Sequence, residues 1–369
     1  MNKDNLKNSS PIQKNTLSVF QIAVMTTISV ASLRTLPPMA EEGRASILMY
    51  IIPAILFLIP TSLVSAEFAT TYKGGVYVWI REAFGNRMGF VAIWLQWIQN
   101  VVWYPVQLAF VAAALAFTIN RGDLSNSGLF TAIVIIVVYW FSTFLAFKGG
   151  NLFAKVSSIG GMIGVLIPGA ILILLGLLWV AQGQPISESY LQSSYIPKVT
   201  GISSLVLIVS NVLSYAGMEM NAVHAGQMEN PKKNFTKAIS LAFILILCVF
   251  IFPTLSIAMA VPADKLGMAN GIMVAFQEFF EKFHISWMSN IMSGAMFFGA
   301  IASVVTWVAG PSKGLLDAGR TGLLPPILQK KNKNNVQINI LIFQGIIVSI
   351  LAMIYVLFPD VSDVFIALI

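Results

Sequence analysis

The chain has 369 residues, of which 57% are hydrophobic and only 10% charged, with a net charge of +7 and a mean hydropathy of +0.81. A soluble domain carries about 25% charged residues, so this composition excludes a water-soluble globular fold and fits an all-α polytopic membrane protein. The only cysteine, Cys248, excludes an intramolecular disulfide and a multi-cysteine metal centre.

Residues 1–16 (MNKDNLKNSSPIQKNT) are polar and basic and read as a cytoplasmic N-terminal tail, with the transmembrane core over 17–369. The first apolar segment is too long for the apolar region of a signal peptide. A helix crosses the bilayer with about 20 apolar residues. That length predicts spans at 17–39, 47–70, 88–119, 128–147, 153–181, 200–226, 237–261, 286–310 and 336–358, with a tenth beginning near Val364. The stretch 74–84 (GGVYVWIREAF) is too short to cross and reads as an interfacial or re-entrant piece. QEFFEKFH (277–284) reads as an interfacial helix in an outer loop, and QKKNKNN (329–335) as a solvated cytoplasmic loop that sets topology.

Basic residues decide orientation. With the N-terminus inside, sixteen of the 22 Lys and Arg residues fall in cytoplasmic segments and five outside, and Arg34 lies in the membrane. This is the positive-inside bias. It accounts for the positive net charge without nucleic acid, and it implies a multi-pass protein of the cell membrane. No nucleotide-binding Gly-rich loop, nucleophile–base pair or metal-ligand spacing is visible, and only two histidines exist. The sequence therefore indicates neither an enzyme nor a bound cofactor or metal.

Two ionisable residues lie at membrane depth beside helix breakers. Arg34 sits in SVASLRTLPPMAEEG next to Pro37 and Pro38, and Glu219 sits in LSYAGMEMNAVHAG next to Gly217. Such a residue costs about 2.5–3.5 kcal/mol on insertion scales and marks a functional position. Interrupted helices in two halves of a chain point to a transporter's binding site. The predicted breaks are Val30–Pro37 and Tyr215–Asn221. They make Ser32, Arg34, Tyr215 and Gly217 candidate substrate-binding positions. Unwound backbone frees N–H donors for a carboxylate and carbonyls for an ammonium, and an α-amino acid carries both groups.

Arg34 has three readings: it holds an anionic substrate group, it pairs with Glu219, or it faces an outer aqueous vestibule. Glu219 is either a titrating gate or proton carrier, or a fixed partner of Arg34 or of the helix break. Trp307, in GAIASVVTWVAGPSKG, either closes over a substrate or packs between helices. Ser303 lies one turn earlier on the same face and joins the candidate site. His224 reads as packing or a hydrogen bond at the helix end. Trp94, Trp97, Trp103 and Tyr104 read as a packing and anchoring stripe.

Three strings together resemble the amino acid–polyamine–organocation superfamily: SAEFATTYKGGVYVWIREAFG (65–85), LSYAGMEMNAVHAGQMENPKK (213–233) and WVAGPSKGLLDAGRTGLLP (307–325). Within it the chain is most similar to bacterial glutamate/GABA antiporters. The resemblance implies a LeuT-type five-plus-five inverted repeat, truncated here at the start of helix ten, with helices one and six broken around the substrate. It implies that Glu219 is the acidic residue of the broken sixth helix and that Trp307 is the aromatic that closes over substrate. Arg34 stands near a tyrosine of those antiporters and Ser303 replaces an acidic residue. Both changes favour an anionic or neutral substrate, and SVASLRTLPP replaces the usual Gly-Ser-Gly break.

The expected function is alternating-access exchange of glutamate for GABA or a related amino acid, which supports acid resistance when internal decarboxylation consumes a proton. The alternatives are a proton-coupled neutral amino acid permease, and a non-transporting membrane sensor or inactive remnant. The expected partners are a small amino acid and membrane lipid, with proton coupling and oligomeric state left open.

Overall fold

The computed structural model describes residues 17–72, 75–148, 156, 159–197, 201–220, 225, 228–358 and 364. Among these residues the fold is helical, and an isolated bridge between Lys331 and Gln337 is the one β pairing. Seven described helices are long and apolar enough to cross a membrane, or eight if a bent pair counts as one span.

That bent pair is the first predicted span. Helix α1 (Val19–Val30) starts on a capping box in which Ser18 and Gln21 satisfy each other's backbone N–H groups. It ends at Ala31 and Ser32, whose backbones are extended. A 3-10 turn (Leu33–Thr35) leads into α2 (Leu36–Glu41), and the two halves meet at 46°. Pro37 and Pro38 lie in the first turn of α2, where a missing N–H costs no helical hydrogen bond. The chain breaks before them and restarts on them.

The remaining long helices are α3 (Gly43–Thr71), α5 (Asn86–Thr118), α6 (Gly128–Lys148), α7 (Ile159–Ala181), α9 (Pro231–Ala260), α11 (Met288–Ala318) and α12 (Ile338–Leu357). The shorter ones are α4 (Val76–Phe84), α8 (Ile202–Leu213) and α10 (Gly271–Lys282). Helix α4 matches the piece expected to be too short to span. Two sequence expectations change. Within the sixth predicted span, 200–226, α8 covers Ile202–Leu213 and the chain then continues as turns from Ser214 through Glu219. Helix α10 covers its apolar face with protein, where the sequence reading expected lipid. It buries Ile272, Met273, Phe276, Phe279 and Phe280, and Trp179 of α7 packs edge-on against Phe279 at 5.5 Å. Its apolar stripe faces protein. The tenth segment near Val364 lies outside the described residues except for Val364 itself.

Helix α5 is the most buried of the long helices and packs against α4, α6, α11 and α12, while α9 packs against α1, α3 and α7. Helix α11 runs antiparallel to α5. Ile93 faces Gly314, Trp103 meets Trp307, and the Asn290 amide donates to the Thr118 carbonyl at 3.3 Å. Small residues bring α1, α7 and α11 together. Gly164 packs on Gly299, Gly160 on Ala302 and Gly161 on Ile28, each so closely that a Cβ on the glycine would collide. This is how helices approach in lipid, where apolar burial gives no net drive and close contact must. Large apolar side chains such as Leu56, Leu63, Leu177, Phe298 and Ile350 remain exposed and form the lipid-facing surface.

One buried polar chain links three helices of the bundle. Trp97 of α5 donates to Gln344 of α12 at 2.6 Å, and Gln344 donates in turn to the Tyr139 hydroxyl of α6 at 2.6 Å. The 329–335 loop is more than a solvated strap. Asn332 and Asn334 donate to the Phe147 carbonyl near the end of α6, at 2.6 and 3.0 Å. They satisfy a carbonyl that the helix end leaves without an internal donor.

Candidate functional site

The two breaks face a single cavity of about 430 Å³, within the range of small-ligand sites. The α1–α2 break, α5, the turns after α8, α7 and α11 line it. Of the residues singled out in the sequence, Ser32, Arg34, Glu219, Ser303 and Trp307 are on its wall.

Gly217 stands just behind that wall. Its φ of +113° suits glycine alone. A Cβ here would come within 3.3 Å of the Ser29 carbonyl and 3.4 Å of the Trp307 ring. The backbone therefore turns at the one place where the α1 break, the segment-six turns and Trp307 converge. Tyr215 is elsewhere. It is fully buried, donates to the Tyr50 carbonyl at 2.9 Å and packs edge-on against Phe250. Asn211 likewise donates to the Met49 carbonyl. Together they clamp the end of α8 to α3 and α9, and they hold the break from behind.

The Glu219 carboxylate accepts from the Gly217 N–H at 3.2 Å and from the Gln96 amide at 3.4 Å. Among the described residues it forms no ion pair. The Arg34–Glu219 bridge is thus replaced by two neutral donors, one from the break and one from α5. Arg34 itself is only 8% exposed. It borders the cavity as a buried group, which differs from an arginine at a wet vestibule.

Helix directions fix where these groups stand along the cavity. Ile28 faces Gly161 and Leu33 faces Gly169, so α1 and α7 run the same way. Gly160 and Gly164 face Ala302 and Gly299, so α7 and α11 run oppositely. Arg34, beyond the break, therefore lies on the same side of Trp307 as Ser303. Trp307 meets Trp103 at 5.9 Å between ring centres, and the pair spans the middle. Gln96 and Glu219 lie on the other side, since Gln96 precedes Trp103 on α5 by two turns. A guanidinium and a carboxylate thus occupy opposite ends of one cavity, with an aromatic pair between them.

The sequence reading missed the contribution of α5. Gln96, Asn100, Trp103 and Gln107 recur at helical spacing and all line the cavity. Amides at that period in an otherwise apolar helix were the available signal. The tryptophan stripe divides: Trp103 belongs to the cavity, while Trp97 and Tyr104 are packing residues, Tyr104 against Tyr139. His224 lies outside the described residues. Among the described residues no cluster of three or more His, Cys, Asp or Glu side chains is placed to hold a metal.

A family profile described as amino acid permease matches residues 16–369. The chain belongs to the amino acid permease family. The permease is 38% identical over 351 residues to an uncharacterised transporter of Legionella pneumophila, covering 95% of this chain and 75% of that protein. It is 31% identical over 339 residues to a glutamate/gamma-aminobutyrate antiporter of Lactococcus lactis, covering 90% and 67%. It is 25% identical over 358 residues to a probable agmatine/putrescine antiporter of Lactococcus lactis, covering 95% and 74%. The permease is thus a multi-pass membrane protein of the amino acid–polyamine–organocation superfamily, with antiporters among its relatives.

Proposed function

We propose that this permease is an alternating-access amino acid exchanger of the cell membrane that carries glutamate against GABA or a related amino acid, with its N-terminus in the cytoplasm. The observation that supports this most is the division of one cavity by Trp103 and Trp307 into an Arg34 end and a Glu219 end. A bound amino acid presents its α-carboxylate and α-ammonium to the backbone groups freed at the two breaks. Its anionic side chain points to Arg34, and Trp307 closes over it. A fixed guanidinium at that end opposes substrates with cationic side chains, which separates this reading from an agmatine/putrescine type. Arg34→Ala in proteoliposomes tests it. Glutamate exchange falls at least tenfold further than exchange of neutral amino acids, in line with about 1.5–3 kcal/mol for a hydrogen bond to a charged group. Equal loss for both classes makes Arg34 structural.

A second reading is proton-coupled uptake of neutral amino acids. What favours it is a Glu219 carboxylate held by neutral donors only, free to exchange a proton when the cavity opens. Glu219→Gln removes the titrating group and keeps a hydrogen-bonding side chain. The pH dependence of flux flattens if Glu219 carries or gates the proton, and an unchanged profile removes Glu219 from that role.

A further inference from the structure

The corner where α6 ends and α12 begins carries a basic cluster without counter-charge. Helix α6 closes on Lys148, and the chain entering α12 carries Lys330, Lys331 and Lys333. Neither α6 nor the stretch from Arg320 to Phe358 contains an Asp or Glu. Among the described residues none of these lysines forms an ion pair. Hydrogen bonds bring them together. Asn332 and Asn334 both donate to the Phe147 carbonyl, one residue before Lys148. The Lys331–Gln337 bridge closes the segment as a hairpin, and the Asn332 side chain accepts from the Asn334 and Val336 N–H groups at 2.9 and 3.0 Å. Lys148, Lys330 and Lys333 are exposed.

An apolar track leads to this cluster. Val137, Phe141 and Phe144 are exposed along α6 at helical spacing, and Lys148 continues their row. The Lys148 Nζ stands 5.2 Å over the Phe144 ring. Phe343, Ile346 and Ile350 are exposed on α12. The two helices are antiparallel neighbours: Trp140, one turn before Phe144, packs on Gly345 and donates to the Ser349 hydroxyl at 3.1 Å. Acyl chains lying on this surface thus end at ammonium groups.

We propose that this corner seats an anionic phospholipid, with its phosphate among Lys148, Lys330 and Lys333 and its acyl chains along α6 and α12. Charge complementarity selects the headgroup. Basic clusters at a membrane surface draw anionic lipid, whereas a choline headgroup brings a cation that the lysines repel. The hairpin is already ordered, so less freedom is lost on binding than in a free loop. Helix α7 runs with α1 and against α11, so α11 ends and α12 begins on the side where α1 starts. The leaflet is cytoplasmic on the proposed orientation of the N-terminus. The binding itself requires no transport.

The test uses the full-length protein in detergent, with phosphatidylglycerol and phosphatidylcholine of identical acyl chains as probes. Native mass spectrometry reads lipid binding, and thermal shift reads melting. The wild type holds phosphatidylglycerol at least tenfold more tightly. Lys148→Gln combined with Lys330→Gln and Lys333→Gln lowers that preference to parity, by roughly fivefold for each lysine removed. A matched triple, Lys232→Gln with Lys233→Gln and Lys237→Gln, removes as much exposed charge from the start of α9. Helix α9 ends beside the loop after α7, where the Ser187 N–H donates to the Met259 carbonyl at 2.8 Å, so its start lies on the same side of the membrane. The matched triple leaves the preference unchanged. Equal loss in the two triples assigns the effect to general surface charge and overturns the proposal. A wild type without preference overturns it whatever the variants do. Glycerol 3-phosphate that raises melting as far as phosphatidylglycerol does makes the corner a site for a soluble anion, which also overturns it. Binding is read apart from flux, so a failed lipid preference leaves the exchanger reading standing, and absent exchange leaves the lipid site standing.

Discussion

At Trp307 one side chain lies beside the segment-six break and against the central helix. Its ring lies against Trp103 at 5.9 Å, and Gly217 leaves it room. Aromatic contacts of this kind add about 0.5–1.5 kcal/mol beyond their buried area. Trp307→Ala therefore raises the apparent KM for exchange roughly three- to tenfold, while Trp307→Phe recovers most of the loss. Equal effects of Ala and Phe would mean that the indole serves packing alone. The ionisable members of the site were legible in the sequence because charge is expensive at membrane depth. The amides of α5 were not, because an uncharged glutamine in an apolar run carries a weaker signal. Tyr215 looked like a site residue from its place beside Gly217. Its hydroxyl instead satisfies the Tyr50 carbonyl, a partner 165 residues away that local sequence cannot indicate.

Among the helices, the long spans were readable from apolar length, and the Pro37-Pro38 restart located the first break. The end of α8 was less readable. The apolar stretch continues, but Gly217 with its positive φ and the Tyr215 and Asn211 clamps stop the helix at Leu213. The protein cover of helix α10 was not readable, because amphipathicity alone does not say whether protein or lipid covers the apolar face. The glycine contacts of α7 and α11 were invisible without the pairing of helices. They carry a prediction at this scale. Gly299→Leu drives a side chain into Gly164 and the Gly160 carbonyl, separates α7 from α11, and distorts the cavity wall that both helices form. Overpacking of a tight contact costs about 1–3 kcal/mol. The variant loses thermal stability in detergent, and Gly299→Ala loses less. Unchanged melting for Gly299→Leu would contradict the close α7–α11 packing.

For the whole molecule the question is how a cavity with charge at both ends moves an amino acid without leaking ions. Helices α1–α2 and the segment after α8 are broken where they meet, and α5 and α11 carry the aromatic pair between them. Rocking of the broken elements against α5 and α11 would open one end of the cavity at a time, with bound substrate filling the centre. Exchange follows when the empty carrier reorients slowly and the loaded one quickly. The decisive measurement is the flux of labelled glutamate into proteoliposomes that contain the full-length protein and are preloaded with GABA, glutamine or buffer. The account predicts rapid entry against either internal amino acid and little entry into buffer-loaded vesicles. Entry into buffer-loaded vesicles driven by a proton gradient alone, at a rate equal to that against GABA, would contradict exchange and leave a proton-coupled permease.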